Sequence, residues 1–138
     1  MDKNDTQALV TQAAFLINTN YEMLILQLPD GRWQLPGGKL RRNEQWADGL
    51  RREIHEETNL SDVSILRVLY IDNWSTPLYD YYRAYFLCTS VEEKVYLSTA
   101  HINYQWITKE TDLSQVVFTH ETVQEHIKDF FSRLESGL

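Results

Sequence analysis

The chain has 138 residues, of which 43% are hydrophobic and 24% are charged, and its formal net charge at pH 7 is −7. This length predicts one domain, residues 1–138, with a core of its own and no second module. The negative charge argues against a long nucleic-acid partner or an acidic membrane surface, but not against a small phosphorylated substrate, because bound cations can reverse the local charge.

The start of the chain and its one cysteine narrow the class further. The N-terminal residues MDKNDTQ are polar, and no apolar run approaches the roughly 18 residues of a membrane span. We therefore expect no signal peptide, no membrane partner and a cytoplasmic location. Cys88 stands alone, which excludes an internal disulfide, and its apolar neighbours predict a buried strand position.

Strand-like and helix-like patterns follow one another along the chain. Apolar runs between turn residues predict strands, and apolar residues at helical spacing after a capping threonine predict a closing helix. In chain order these are strands over residues 8–17 and 23–28, a segment at 33–35 that leads into the bend at 36–38, a helix over 43–58, strands over 63–71, 79–89, 95–97 and 104–107, and a helix that Thr119 caps and that runs to about residue 134. Several strands with two principal helices predict a layered α/β domain.

The first predicted helix carries three glutamates on one face. At about 100° per residue, Glu53, Glu56 and Glu57 fall within roughly a 100° arc, while His55 lies off that arc and is expected to be exposed. Arg52 reaches Glu56 at the i,i+4 spacing but does not neutralise all three charges. Clustered carboxylates suit a hard divalent cation, so the face predicts a magnesium or manganese site. The alternative is a solvated acidic surface, which is common for such a string.

A longer spacing pattern favours the metal site. Residues 38–60 read GKLRRNEQWADGLRREIHEETNL. This stretch resembles the Nudix box of MutT-like hydrolases, G-x5-E-x7-R-E-U-x-E-E-x-G-U, where U is a bulky aliphatic residue. The one departure is Asn59, which stands where the family has glycine; asparagine is the next residue to adopt the left-handed conformation at a helix end. The resemblance implies a Nudix-type α/β/α sandwich with a mixed sheet.

The resemblance also implies roles for the matching residues. Glu44 and Arg52 would brace the loop against the helix, since arginine forms bidentate pairs with carboxylates. A shell for Mg²⁺ or Mn²⁺ would be formed by the helix glutamates and a carbonyl of the glycine pair, that is, by Glu53, Glu56, Glu57 and Gly37 or Gly38. The implied reaction is metal-assisted attack of water on the diphosphate linkage of a nucleoside diphosphate joined to another group, such as a nucleoside triphosphate or a nucleotide sugar.

The group that activates the water has more than one candidate. Glu53 is the first of them. Many relatives also place a glutamate several residues before a tryptophan near the last strand, but the residues STAHINYQ before Trp106 contain no acid. His101 occupies that neighbourhood and is chemically competent as a base, although it would equally suit a loop histidine without a catalytic role. Glu92 and Glu93 are alternatives if their loop covers the site.

Substrate contacts are less clearly indicated. Alternation along residues 79–89 places four side chains on one face of a strand, namely Tyr79, Tyr81, Arg83 and Tyr85. Tyr81 and Arg83, together with Lys39 beside the glycines, are candidates to bind a nucleotide, although this face would equally suit packing beneath a helix or a dimer surface. Trp33 and Trp74 are expected in core or edge packing.

Three functional hypotheses are therefore carried forward. The first is the metal-dependent pyrophosphohydrolase, which the complete motif favours. The second is a catalytically weak nucleotide-binding sensor, supported by the missing downstream glutamate. The third is an interaction domain whose acidic helix is only a surface. The expected partner is a small nucleotide, and aromatic strands with an amphipathic closing helix would permit a homodimer.

Overall fold

The computed structural model describes residues 2–135, so Met1 and residues 136–138 of the predicted domain lie outside the described range. Seven strands and two helices follow one another within it: β1 (Ala8–Ile17), β2 (Met23–Gln27), β3 (Trp33–Gln34), β4 (Gly37–Lys39), α1 (Trp46–Thr58), β5 (Val63–Ser75), β6 (Asp80–Ser90), β7 (Asn103–Ile107) and α2 (Glu121–Glu135). Most predicted boundaries are confirmed to within one or two residues. β5 continues beyond residue 71 because Asn73 and its neighbours still pair with β6.

The sheet is mixed, with β1 at its centre. β1 runs parallel to β6 from the Ala8–Asp80 pair to the Ile17–Thr89 pair. On its other side β1 is antiparallel to β4 and meets the start of β2. β2 pairs with β3 and β7, and β5 lies at the opposite edge as the antiparallel partner of β6. The short glycine-containing strand β4 therefore lies directly beside the central strand.

The two helices cover opposite faces of the sheet. Neighbouring residues of a strand point to opposite faces, and Phe15 accordingly packs in the core beneath α2 while Leu16 packs in the core beneath α1. Leu50 and Ile54 of α1 are fully buried, and each such side chain contributes about 1.5–3 kcal/mol. α2 buries Val123, Ile127, Phe130 and Phe131. The expected α/β/α sandwich with a mixed sheet is confirmed.

The prediction of a strand over residues 95–97 was wrong. This segment crosses the end of α1, where the N–H of Tyr96 donates to the carbonyl of Thr58 at 3.0 Å. The closing helix begins at Glu121, so the predicted cap Thr119 does not directly precede it; the N–H of Thr119 donates to the carbonyl of Trp33 at 3.0 Å and holds that residue to β3. Both differences arise from contacts between distant segments, which local patterns do not contain.

Cys88 is buried beneath α1, as predicted. Burial raises the pKa of its thiol to about 12. Within residues 2–135, neither helix combines the length and the apolar content that crossing a bilayer requires. The apolar side chains of Val68, Ile71 and Tyr82 are exposed on the strands β5 and β6. Such a surface is compatible with the predicted homodimer, which stays a prediction.

Candidate active site

Packing and capping fix the position of helix α1. The burial of Leu50 and Ile54 sets which face of the helix turns away from the sheet. At the end of the helix, Asn59 has φ +62°, and its N–H donates to the carbonyl of His55 at 2.9 Å. The left-handed conformation predicted for this asparagine is confirmed, as is the exposure of His55.

Arg52 connects the helix to the loop that precedes it. Its Nε and Nη2 donate to the two carboxylate oxygens of Glu44 at 2.6 and 3.0 Å. Its Nη1 donates to Glu53 at 2.8 Å and lies 3.4 Å from Glu56. The hydrogen bond from Arg52, reinforced by a backbone N–H, lowers the pKa of Glu44 to about 2. This bidentate contact agrees with the supporting role that the sequence predicts for Glu44 and Arg52.

Glu44 itself lies in the loop and not in the first turn of the helix. The helix begins at Trp46 rather than at residue 43, because Asn43 has φ +64°, which is incompatible with a right-handed helix. The N–H of Arg41 donates to the Glu44 carboxylate at 3.0 Å, so the turn and the arginine of α1 hold this side chain together. The predicted start of the helix was therefore wrong by three residues.

Glu57 is the most buried of the three clustered glutamates, with 12% of its side chain exposed. The N–H of Gly37 donates to its Oε1 at 2.8 Å. Burial raises the pKa of Glu57 to about 8, and the negative charges of Glu53 and Glu56 act in the same direction, while the hydrogen bond from Gly37 opposes them. At neutral pH, a cation beside this carboxyl group would therefore have to displace a proton.

Two successive glycines in β4 allow the strand to approach the helix and β1 closely. A Cβ atom on Gly37, where φ is +150°, would lie 2.0 Å from the carbonyl oxygen of Gln12 in β1. A Cβ atom on Gly38 would lie 2.5 Å from Oε2 of Glu53. The strand is therefore in contact with β1 on one side and with a glutamate of α1 on the other, and both contacts require the absence of a side chain.

The same residues fit a divalent cation. Glu53, Glu56 and Glu57 supply the oxygen ligands that Mg²⁺ and Mn²⁺ prefer, and the side-chain-free backbone of Gly38 packs against one of these carboxylates. Within residues 2–135, no three acidic, histidine or cysteine side chains already converge as a ligand shell. Arg52 pairs with Glu53 and is in contact with Glu56. A cation would compete with Arg52 for these oxygens.

A cavity of about 390 Å³ opens next to β4 on the face of the sheet that α2 covers. Gly37, Gly38 and the exposed Lys39 form one wall, and Tyr81 and Arg83 of β6 form another. The three side chains that the sequence suggested for substrate contact therefore line one space. The carboxylate cluster lies on the α1 side of β4 and this cavity on the α2 side.

Arg83 presents a positive charge to the cavity. Its Nε donates to the hydroxyl of Thr11 at 3.0 Å, and its guanidinium carbon lies 4.9 Å from the ring centroid of Trp74. The ion pairs formed among the described residues do not include Arg83. Trp74 stacks on Tyr81 at 5.1 Å and contacts His120 at 4.5 Å. Burial, together with the charge of Arg83, lowers the pKa of His120, which keeps this ring neutral at pH 7.

His101 reaches the glutamate cluster from the segment that follows β6. The N–H of Ser98 donates to the Glu57 carbonyl at 3.2 Å, which brings this segment across the end of α1. The Nε2 of His101 lies 2.7 Å from Nε2 of Gln34 and 4.0 Å from the carboxylate of Glu57. Only 1% of the His101 side chain is exposed, and burial lowers its pKa. The histidine is therefore neutral and close to Glu57, but shielded from solvent.

Comparison with known proteins identifies the family. The NUDIX domain model matches residues 8–132, nearly the whole chain. The chain belongs to the Nudix family. The predicted hydrolase acting on phosphoric anhydride bonds is confirmed with it, and divalent metals and small nucleotide substrates are general in this family.

Solved structures agree with this Nudix assignment. The chain is similar to a MutT protein from Methanosarcina mazei Go1, with 25% identity, 96% of each chain covered and a TM-score of 0.76. It is similar to an Ap4A hydrolase from C. elegans, with 20% identity, 95% and 100% of the two chains covered and a TM-score of 0.75. A Nudix hydrolase from Nitrosomonas europaea has 19% identity, 97% and 76% coverage and a TM-score of 0.80. A comparison with curated proteins finds no match.

Two residues predicted as alternatives lie away from the Nudix site, and two others lie at its cavity. Glu92 and Glu93 are exposed, and Glu92 accepts a hydrogen bond from the N–H of Asp62 at 3.0 Å, so the structure does not bring these two alternatives to the cluster. Trp74 lies on the edge strand β5, one of the two placements expected for it, and also lines the cavity; His120, which no sequence pattern indicated, lies beside it. Their proximity depends on the register of β5 and β6 and on where α2 begins.

Proposed function

We propose that this Nudix protein is a divalent-metal-dependent pyrophosphohydrolase that cleaves the diphosphate linkage of a nucleoside diphosphate derivative, such as a nucleoside triphosphate or a nucleotide sugar. The main support is the position of β4. On one side its glycines contact Glu53 and Glu57, and on the other they form a wall of the cavity that contains Arg83. A substrate lying across these residues would place the phosphates that react by the carboxylates, and the rest of the nucleotide, including any further phosphate, in the cavity.

Each residue of the motif has a part in this proposal. Glu53, Glu56 and Glu57, with a carbonyl of Gly37 or Gly38, would hold Mg²⁺ or Mn²⁺. A bound cation of this kind offsets phosphate charge and lowers the pKa of water attached to it. Arg52 and Glu44 would keep the loop and the helix in register, as their bidentate contact supports.

Glu53 is the proposed general base. Its carboxylate lies against the backbone of Gly38, next to the cavity, whereas the buried His101 already contacts Gln34. We propose a different role for His101. Its Nε2 lies 4.0 Å from the Glu57 carboxylate, so it would help to position that side chain. It would take part in proton transfer only if the segments that bury it opened. A pH profile of kcat for Glu53→Gln and for His101→Asn would separate the two roles, because only loss of the base removes the dependence on an ionised group.

The cavity suits a nucleotide with respect to both charge and shape. Arg83 and Lys39 supply positive charge for phosphate oxygens at two of its walls. Tyr81, with Trp74, supplies aromatic surface, and stacking of a base on such a surface contributes about 1–3 kcal/mol. The volume of about 390 Å³ lies at the lower end of the usual range for small-molecule sites. It is large enough for one nucleoside moiety.

The decisive experiment is a turnover assay. Product formation would be measured with Mg²⁺ and then Mn²⁺ for nucleoside triphosphates, nucleotide sugars, ADP-ribose and dinucleoside polyphosphates. Glu57→Gln is the inactive control, and Glu125→Gln, which changes an exposed glutamate of α2, is the matched control. We expect turnover of at least one class that Glu57→Gln abolishes and Glu125→Gln preserves.

Other outcomes would support the remaining hypotheses. Nucleotide binding without turnover with either metal would replace the hydrolase by the catalytically weak sensor. If neither binding nor turnover occurred and Glu57→Gln only stabilised the fold, the acidic helix would be a surface of an interaction domain.

A further inference from the structure

Asp72 and Arg83 occupy directly opposed positions on the antiparallel strands β5 and β6. Opposite charges at directly opposed positions of antiparallel strands attract each other and can form a cross-strand ion pair. Here they do not pair. The Asp72 carboxylate instead accepts from Nε2 of His126 in α2, with distances of 3.0 and 3.1 Å to its two oxygens, while Arg83 donates to Thr11 and lines the cavity.

We propose that His126 is a positioning residue for substrate binding. By occupying the Asp72 carboxylate, it leaves the Arg83 guanidinium available to a phosphate group of the substrate. This inference rests on the proposed function, because it assigns the anion that Arg83 binds to the nucleotide in the cavity.

Contacts with neighbouring side chains hold the His126 ring in its orientation. The ring stacks on Tyr70 with a centroid distance of 4.2 Å and an interplanar angle of 16°. The Tyr70 hydroxyl donates to Asp129, one helical turn further along α2, so the stacking partner is held in place as well. Since an ionised carboxylate only accepts hydrogen bonds, the Nε2 of His126 must carry a hydrogen and donate it in the hydrogen bond to Asp72.

Removal of this donor would leave Asp72 with only the neutral hydroxyls of Tyr85 and Thr122 nearby. Only 17% of the Asp72 side chain is exposed, and a shielded carboxylate that loses its main hydrogen-bond donor is unfavourable. The cation directly across the strand pair is Arg83. An Asp72–Arg83 ion pair would then form, and the positive charge presented to the cavity would be neutralised.

The test compares two substitutions at one position. His126→Phe keeps the aromatic ring against Tyr70 and removes the N–H donor, whereas His126→Gln keeps a donor and removes the ring. The probe is ADP with Mg²⁺, and affinity is read from titration calorimetry. We expect about tenfold weaker ADP binding in His126→Phe, and affinity close to that of the wild type in His126→Gln. For a substrate that is turned over, KM should rise similarly and kcat should stay within about twofold.

A rescue experiment separates positioning from general damage. Asp72→Asn in the His126→Phe background removes the charge that would capture Arg83, so ADP affinity should return toward that of the wild type. In an Arg83→Gln background, His126→Phe should have no further effect on ADP binding. Ile127→Val, which shortens a buried side chain of α2 next to His126, is the control and should lower thermal stability without altering ADP affinity.

The outcomes distinguish this inference from the proposed function. Unchanged ADP affinity in His126→Phe, failure of the Asp72→Asn rescue, or no measurable ADP binding by the wild type would overturn the positioning role. Hydrolysis of the substrate panel could persist in each of these cases. Conversely, the calorimetric pattern would remain interpretable if no substrate were turned over, because it measures binding alone.

Discussion

The backbone N–H of Gly37 donates to the carboxylate of Glu57 at 2.8 Å, which joins the short strand β4 to the motif helix at a proposed ligand of the cation. The hydrogen bond has two consequences. It holds a buried carboxyl group in a defined position before any cation binds, and it couples the protonation of that group to the packing of β4 against α1.

Glu57→Gln should abolish turnover and preserve the fold. The amide oxygen of glutamine still accepts the Gly37 N–H, but a neutral side chain is a poor ligand for Mg²⁺. We expect kcat/KM to fall by at least about 100-fold, with an unchanged circular dichroism spectrum. Mg²⁺ affinity from calorimetry should fall in parallel. Turnover within a factor of two of the wild type would remove Glu57 from the metal shell.

The stability of the metal-free protein should depend on pH through Glu57. Its folded-state pKa is about 8 and its ordinary value 4.5, so below pH 4.5 the group is protonated whether the chain is folded or unfolded. Between these values only the unfolded chain gives up the proton. The stability is therefore fully present below pH 4.5 and is lost as pH rises through 8.

The measurement is the Tm in EDTA between about pH 5 and about pH 9. We expect the wild type to lose more stability over this range than Glu57→Gln, because the variant has no proton to release at this position. Parallel curves for the two proteins would show that burial does not hold the proton on Glu57.

Alanine substitutions at the two glycines of β4 should have different effects. A Cβ atom at residue 37 would lie 2.0 Å from a backbone oxygen of β1, which cannot move without disturbing the sheet. Gly37→Ala should therefore cost on the order of 3 kcal/mol in urea unfolding. At residue 38 the close atom belongs to the Glu53 side chain, at 2.5 Å, and this side chain can rotate away.

Gly38→Ala should accordingly fold and lose Mg²⁺ affinity, by roughly tenfold, because the carboxylate of Glu53 is displaced. A Mg²⁺ titration of the folded variant checks this expectation. If Gly38→Ala bound the cation as the wild type does, or if Gly37→Ala were as stable as the wild type, the contacts attributed to these glycines would be contradicted.

Substitutions at Asn59 test the end of the motif helix. The residue has φ +62°, a conformation that costs an alanine roughly 1 kcal/mol. Asn59→Ala should lower the free energy of unfolding by about that amount, whereas Asn59→Gly should stay within about 0.5 kcal/mol of the wild type. Urea unfolding at pH 7 distinguishes the two variants. An unaffected Asn59→Ala would mean that this asparagine does not limit the helix end.

The part of the site that sequence patterns predict is the part in which neighbours in space are neighbours in sequence. The glutamates of α1 follow from helical periodicity, and the burial of Leu50 and Ile54 follows from the same period. The left-handed residue Asn43, which places Glu44 in a loop, leaves no such periodic signal. Strand alternation predicts that Tyr81 and Arg83 share a face, and the structure places both at the cavity.

The remaining part depends on pairing between distant segments. Trp74 lies opposite Tyr81 only because of the register of β5 and β6, and His120 meets Trp74 only because α2 begins beside it. The contact between His126 and Asp72 likewise joins a helix to an edge strand. None of these relationships produces a spacing pattern in a single sequence.

The position of β4 between the carboxylate cluster and the cavity also divides the site by its origin in the chain. The proposed cation ligands and the cavity wall formed by Gly37, Gly38 and Lys39 come from one continuous stretch, residues 37–57, whereas most of the remaining cavity lining comes from β1, β5, β6 and the segment that leads into α2. The two parts meet at β4. Under the proposed function, we expect substitutions in β5 and β6 to change nucleotide preference while the carboxylates beside Gly37 and Gly38 stay intact, so substrate preference could be redesigned without altering a residue of the motif.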